Sequence, residues 1–210
     1  ARVGSIPIIN GLTDFCHPCQ VLADLMTVRE HKGTLEGLKM TYIGDGNNMA
    51  NSLIVGGLKT GMKVSVACPD AYRPAKEVLD FAAGCGDAFT LTDNCLEAAA
   101  GADVIFTDVW ASMGQEEEQK KREEAFKGFC VDSELMSLAT PGVKFLHCLP
   151  AHRGEEVTDE VMESEASIVS GNRGQEITEE LFEAHADEIF EEAENRLHAQ
   201  KAILEWVFSD

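Results

Sequence analysis

The stretch LKMTYIGDGNNMANS, Leu38 to Ser52, sets the fold. Its first half is a short β-branched and apolar run, and its second is an Asn-rich turn that feeds a helical apolar period. A strand that turns directly into a helix is half of a βαβ unit. Comparable runs recur on both sides of it: VGSIPIIN before, then MKVSVACP, AFTLT, ADVIFTDVW, VKFLHCLP and ASIVS. Short runs alternating with helical periods predict an α/β fold, a doubly wound, mainly parallel sheet with helices on both faces. Helices are expected over Pro18 to His31, Asn48 to Thr60, Pro74 to Ala83, Gln115 to Phe126 and Glu194 to Phe208. In such sheets ligands gather beyond the carboxyl ends of the strands. Asp45 to Asn48, Asp108 to Gly114 and His147 to Pro150 are therefore the places to search for a site.

The totals narrow the function. The 210 residues are 44% hydrophobic and 26% charged, enough for one ample core or two modest domains. Acidic groups outnumber basic ones 37 to 17, giving a net charge of −20, which argues against a nucleic acid or an anionic membrane as partner. No stretch approaches the roughly 18 apolar residues of a membrane helix. Seven cysteines (16, 19, 68, 85, 95, 130 and 148) form no disulfide framework and predict reduced thiols in a cytoplasmic protein, an organelle matrix being the other setting. The chain opens ARVGSIPIING with no methionine, as though entered partway. One repeat stands out: RGEEVTDEVMES (Arg153 to Ser164) and RGQEITEELFEA (Arg173 to Ala184) align at an offset of 20 residues, a local duplication over 153–184 rather than a solenoid.

Four constellations carry chemistry. Cys16-His17-Pro18-Cys19 opens a helix, which suits either a dithiol or an anion site with His17 and Gln20 as side-chain donors. No second CxxC supplies the rest of a zinc site. GDGNN lacks the third glycine of a dinucleotide turn, so Asn47 and Asn48 read as polar groups at a strand end or as a helix cap. In DVWASMGQEEE, Asp108 ends an apolar strand and calls for a partner such as an amine, while the basic residues 120–122 read as a solvated helix face. In FLHCLP, Cys148 beside His147 raises a nucleophile and base pair, but strand neighbours point to opposite faces.

Taken together, HPCQ-LAD, GDGNN, DVWASMGQEEE, HCLP and AENR, in that order, closely resemble the aspartate/ornithine carbamoyltransferase family. The SMG loop and HCLP favour ornithine as acceptor and leave putrescine and acetylated ornithine as alternatives. The resemblance implies a Rossmann-like ornithine-binding domain over residues 35–190. Residues 1–34 would be a remnant of the carbamoyl-phosphate domain with its crossing helix, and 191–210 a C-terminal helix. It implies that Asn48, Asp108, Ser112 and Met113 bind ornithine. His17, Gln20, Cys148, Leu149 and Arg196 would meet carbamoyl phosphate, with Asp108 and Cys148 as the catalytic pair. No metal or other cofactor is implied, and the partners would be the two small substrates and, at full length, two further copies in a homotrimer.

Two departures stand against the family pattern. The STRTR segment that grips phosphate in the family is not found in these residues, so the chain reads either as a fragment of an enzyme or as a shortened relative without turnover that binds an amino acid or serves as a structural subunit. A dithiol oxidoreductase centred on Cys16 and Cys19 is a further rival. The duplication also leaves two candidate copies for one place before Arg196.

Overall fold

The structure, a computed structural model, describes residues 8–110, 119–168 and 186–208. Six strands, β1 (Lys39–Ile43), β2 (Lys63–Ala67), β3 (Phe89–Thr92), β4 (Val104–Thr107), β5 (Lys144–His147) and β6 (Ser167–Ile168), make one sheet in the order β3-β2-β1-β4-β5-β6. Every pair is parallel. The order reverses between β1 and β4, which splits the connecting helices between the faces and opens a crevice at the carboxyl ends of those two strands.

Strand alternation shows how both faces are covered. Met40 and Tyr42, Val64 and Val66, Val104 and Phe106, and Leu146 pack under α1 (Pro18–Lys32), α2 (Asn48–Lys59) and α3 (Lys76–Ala83). Ile43, Ala67, Ile105 and Phe145 point the other way, toward α4 (Cys95–Ala99), Phe126 just past α5 (Gln119–Ala125), α6 (Ser133–Ser137) and α7 (Asp159–Met162). Side chains on a strand alternate faces, so the near-continuous apolar strands are those of a sheet buried on both sides.

Helix ends follow local chemistry. Pro18 stands in the first turn of α1, where its missing N–H costs nothing, and Gly33 ends the helix at φ +78 with its N–H on the Arg29 carbonyl. The last helix, α8 (Ala186–Phe208), begins earlier than Glu194 and lies along α1. Buried Asn195 ties the two, donating to Thr27 Oγ1 at 3.1 Å and to Glu30 Oε2 at 2.5 Å.

Some expectations shift. The VGSIPIIN run falls mostly outside the described residues, and Ile8, Ile9 and Asn10 are not in a strand. Helix α3 starts at Lys76 rather than Pro74, because Ala75 remains extended with its N–H on Asn51 Oδ1 at 2.9 Å. The first copy of the duplication forms the turn and α7, with Arg153 bound to Asp159 at 2.9 Å and Glu163 at 2.6 Å. The second copy, Arg173 to Ala184, lies outside the described residues, as do Ser112 and Met113.

Candidate active site

The turn after β1 is built by backbone crowding. A Cβ on Gly46 would stand 2.2 Å from Pro74 N and 2.5 Å from the Tyr72 carbonyl oxygen, so only glycine lets the chain pass. Asn47 then caps α2, its Oδ1 accepting from Met49 N at 2.9 Å and Ala50 N at 3.2 Å. Its amide also donates to Asp108 Oδ2 at 2.8 Å. Burial, followed by the carboxylates of Asp108 and Asp45, pushes the Tyr42 phenol well above its ordinary range, so its hydroxyl remains a proton donor to Asn47 at 3.4 Å.

Asp108, buried at the end of β4, is the hub of the crevice. Its Oδ1 accepts from the Cys148 thiol at 3.1 Å and from Val109 N at 2.9 Å. Cys148 follows β5, so this bond joins the ends of two adjacent strands. The corner behind it is held from below. Buried His147 takes the Leu149 N–H on Nδ1 at 2.9 Å, which leaves Nε2 to bear the proton toward Glu156 Oε1 at 3.1 Å. Leu149 sits at φ +58, a left-handed conformation that costs a non-glycine residue about 1–3 kcal/mol. His147 and Cys148 therefore do different work: one fixes the corner and the other faces Asp108.

The loop before α1 is carried to the same edge by the first turns of α2. Asn48 donates to the Thr13 carbonyl at 2.8 Å, Asn51 to the Phe15 carbonyl at 2.9 Å, and Ser52 Oγ accepts the His17 N–H at 2.8 Å. Asn48 thus serves this loop, while its neighbour Asn47 serves Asp108. Gln20, one turn into α1, donates to Asp24 at 2.8 Å and accepts from Arg196 of α8. His17 is half-buried, and its pKa is lowered first by burial and then by the Arg196 guanidinium, against a hydrogen bond to the Gly11 backbone and the field of Asp108 that raise it. His17 Nδ1 and Arg196 Nε are buried without a hydrogen-bond partner among the described residues. Two such groups side by side are what an anion with oxygen acceptors satisfies. Cys16 and Cys19 flank them only as loop contacts: Asn10 donates to Cys16 Sγ at 3.0 Å, and none of the seven cysteines is in a disulfide.

A second polar unit closes the other side of the switch point. Arg122 Nη1 reaches Asp45 Oδ2 and the Trp110 carbonyl, both at 2.6 Å, and the guanidinium lies 4.7 Å from the Tyr72 ring centre. Arg122 is buried although Lys120 and Lys121 are exposed, so the basic stretch is only in part the solvated face expected. Arg122 and Glu156 are site residues that sequence reasoning missed, and Asn47 was named only together with Asn48, as a strand-end polar group or helix cap. An ion pair 77 residues apart, such as Arg122 with Asp45, leaves no local pattern. Among the described residues two groups could hold a metal, Asp108 with His147 and Cys148, and His152 with Glu155 and Glu156, each with ligand atoms within 4.8 Å of one another.

The profile of the aspartate/ornithine carbamoyltransferase Asp/Orn binding domain matches residues 36–172 and 171–207, and that of the carbamoyl-P binding domain matches residues 1–30. The chain belongs to the aspartate/ornithine carbamoyltransferase family. Ornithine carbamoyltransferase of Nitratidesulfovibrio vulgaris is 51% identical over 210 residues, all of this chain and 63% of that protein. The enzyme of the same name from Geobacter metallireducens is 51% identical over 205 residues, covering 97% of this chain and 61% of its own length. Among solved structures, ornithine carbamoyltransferase from Pyrococcus furiosus superposes with a TM-score of 0.82 at 47% identity, covering 97% of this chain and 60% of that one. The chain thus spans about three fifths of the carbamoyltransferases it matches.

Proposed function

We propose that the protein transfers the carbamoyl group of carbamoyl phosphate to the side-chain amine of L-ornithine, giving L-citrulline and phosphate. One observation carries this reading: the first turns of α2 join the two halves, since Asn47 holds the Asp108 carboxylate that also accepts from the Cys148 thiol, while Ser52 accepts the His17 N–H. A site for an amine and a site for an anion then share one crevice.

The chemistry asks for both halves. An amine with a lysine-like pKa of about 10.4 is neutral in roughly 1 molecule in 2,500 at neutral pH, so selecting the free base costs on the order of 4 to 5 kcal/mol. Asp108 and Cys148 orient that amine by accepting its N–H bonds, which leaves the nitrogen lone pair for the carbamoyl carbon. As the C–N bond forms, negative charge collects on the carbamoyl oxygen and is met by His17 and Arg196. The C–O bond to phosphate then breaks, and the departing phosphate takes the electron pair and accepts the proton that the amine gives up. Gln20 and Leu149 complete the carbamoyl-phosphate side, and Asn48, Ser112 and Met113 the ornithine side.

In this reading residues 1–34 belong to the carbamoyl-phosphate domain, 35–190 form the ornithine domain with its duplication over 153–184, and 191–210 bring the C-terminal helix back across α1. The break between the two profile matches at residues 171–172 supports an extra unit there. The complete enzyme would be a cytoplasmic homotrimer. No helix of the described residues is long and apolar enough to cross a membrane.

The test is citrulline formation from labelled carbamoyl phosphate by the 210-residue chain, alone and with the carbamoyl-phosphate domain of a longer relative added. Turnover in either form that disappears in Asp108→Asn supports the proposal. Ornithine binding without turnover in both forms would favour a non-catalytic relative. Putrescine and acetylated ornithine, run in parallel, decide the acceptor.

A further inference from the structure

The turn that follows Pro150 gathers a second set of ligand atoms outside the crevice. His152, Glu155 and Glu156 each place one within 4.8 Å of the others. Bonds of about 2.0–2.3 Å to a shared cation put its ligands up to roughly 4.5 Å apart, so small side-chain adjustments suffice. Acidic side chains near one another on a surface mean little alone. Glu156, however, is not on the surface: it is 0% exposed, and its Oε1 accepts from His147 Nε2 at 3.1 Å and from the His152 N–H at 2.6 Å. Its Oε2 is buried with no hydrogen-bond partner among the described residues. A buried carboxylate with one oxygen unmatched is the kind of group that a bound cation compensates. The other two ligands are open to water, with side chains 50% and 37% exposed and His152 Nδ1 at 3.7 Å from Glu155 Oε2.

We propose that His152 Nδ1 and the carboxylates of Glu155 and Glu156 form a site for a divalent first-row cation such as Co2+, Mn2+ or Zn2+. One imidazole nitrogen with two carboxylates is a donor set suited to these ions. With a neutral imidazole the three ligands carry two negative charges, which the ion offsets. The cation takes no part in carbamoyl transfer. It would stiffen the turn whose Glu156 holds His147, and through His147 the Leu149 corner. The neighbouring set of Asp108, His147 and Cys148 is a different matter, because its thiol and its Nδ1 are already committed to bonds within the crevice.

Co2+ titrated into the purified protein, followed by its visible absorption and by calorimetry, tests this without reference to turnover. The expected result is one ion per chain, no sulfur-to-cobalt charge-transfer band, and displacement by Zn2+. His152→Ala and Glu155→Gln, both at partly exposed positions, should each weaken binding by about tenfold or more while leaving metal-free circular dichroism and Tm unchanged. Cys148→Ser should bind as the parent does. The proposal fails if binding does not saturate, if His152→Ala binds as tightly as the parent, or if Cys148→Ser abolishes binding.

Discussion

Arg122→Met removes the cation from a pair whose side chains are only 9% and 10% exposed and leaves the Asp45 carboxylate buried without its counter-charge. Removing one partner of a buried pair costs about 3–5 kcal/mol, because the remaining charge keeps its desolvation penalty. That is a large part of the roughly 5–15 kcal/mol that holds a domain together. The loss should carry a pH signature. Burial already pushes the Asp45 carboxyl above its ordinary value, and Arg122 is the chief influence pulling it back. Without Arg122 the carboxyl rises further. A group whose folded pKa exceeds its unfolded pKa contributes stability that is complete below the unfolded value of about 4 and is lost as pH rises through the folded value. The variant's deficit should therefore be greatest at neutral pH and shrink as the solution approaches about pH 4.5. Urea unfolding followed by circular dichroism at several pH values measures this, and Asp45→Asn in the Arg122→Met background should recover much of the neutral-pH loss. A deficit below about 1 kcal/mol, the range of an exposed pair, or one equal at acid and neutral pH, would refute the reasoning.

Three further outcomes follow from the same geometry. Asp108→Asn should lower kcat for citrulline formation by about a hundredfold or more, since the amide turns a donor toward the amine and the Cys148 thiol; steady-state rates retaining a tenth of the parent activity would contradict this. Gly46→Ala should cost about 3 kcal/mol or more, because the new methyl meets only backbone; an unchanged Tm, with Gly11→Ala as the control that has open space, would show that the Tyr72–Pro74 turn gives way. Arg196→Gln should raise the His17 pKa, because the guanidinium is one of the influences lowering it; an NMR titration in which the imidazole does not move would separate the two residues.

The parts legible in the sequence were those with long apolar runs or a helical period. Strands β1, β2, β4 and β5 were each marked by such a run, because a parallel strand buried on both faces must be apolar nearly throughout, while the edge strands β3 and β6 showed only in the shorter AFTLT and ASIVS. Helices α4, α6 and α7 were not foreseen. Each is five residues or fewer, too short for a period to show, and begins at a cap: Asn94, Asp132 and Thr158 accept from the N–H groups that follow. Within the site, Asp108 was readable as a carboxylate in need of a partner, and its bond to Cys148 joins two residues 40 apart. The two asparagines could not be told apart, since consecutive residues at a helix start differ only in the direction each faces. Arg122 was read with its exposed lysine neighbours, although a helix turns by roughly 100° per residue and so presents adjacent charges to different surroundings.

Proton release on ornithine binding tests most directly whether the amine is held as the free base between Asp108 and Cys148. Ornithine can be titrated calorimetrically into the protein with an unreactive carbamoyl-phosphate analogue bound, in buffers of different ionisation heat. Close to one proton released per ornithine near neutral pH is the expected value, because the free amino acid arrives almost wholly as the ammonium form. Binding with no proton released would mean that the amine stays charged beside Asp108, and the proposed attack could not begin from that complex.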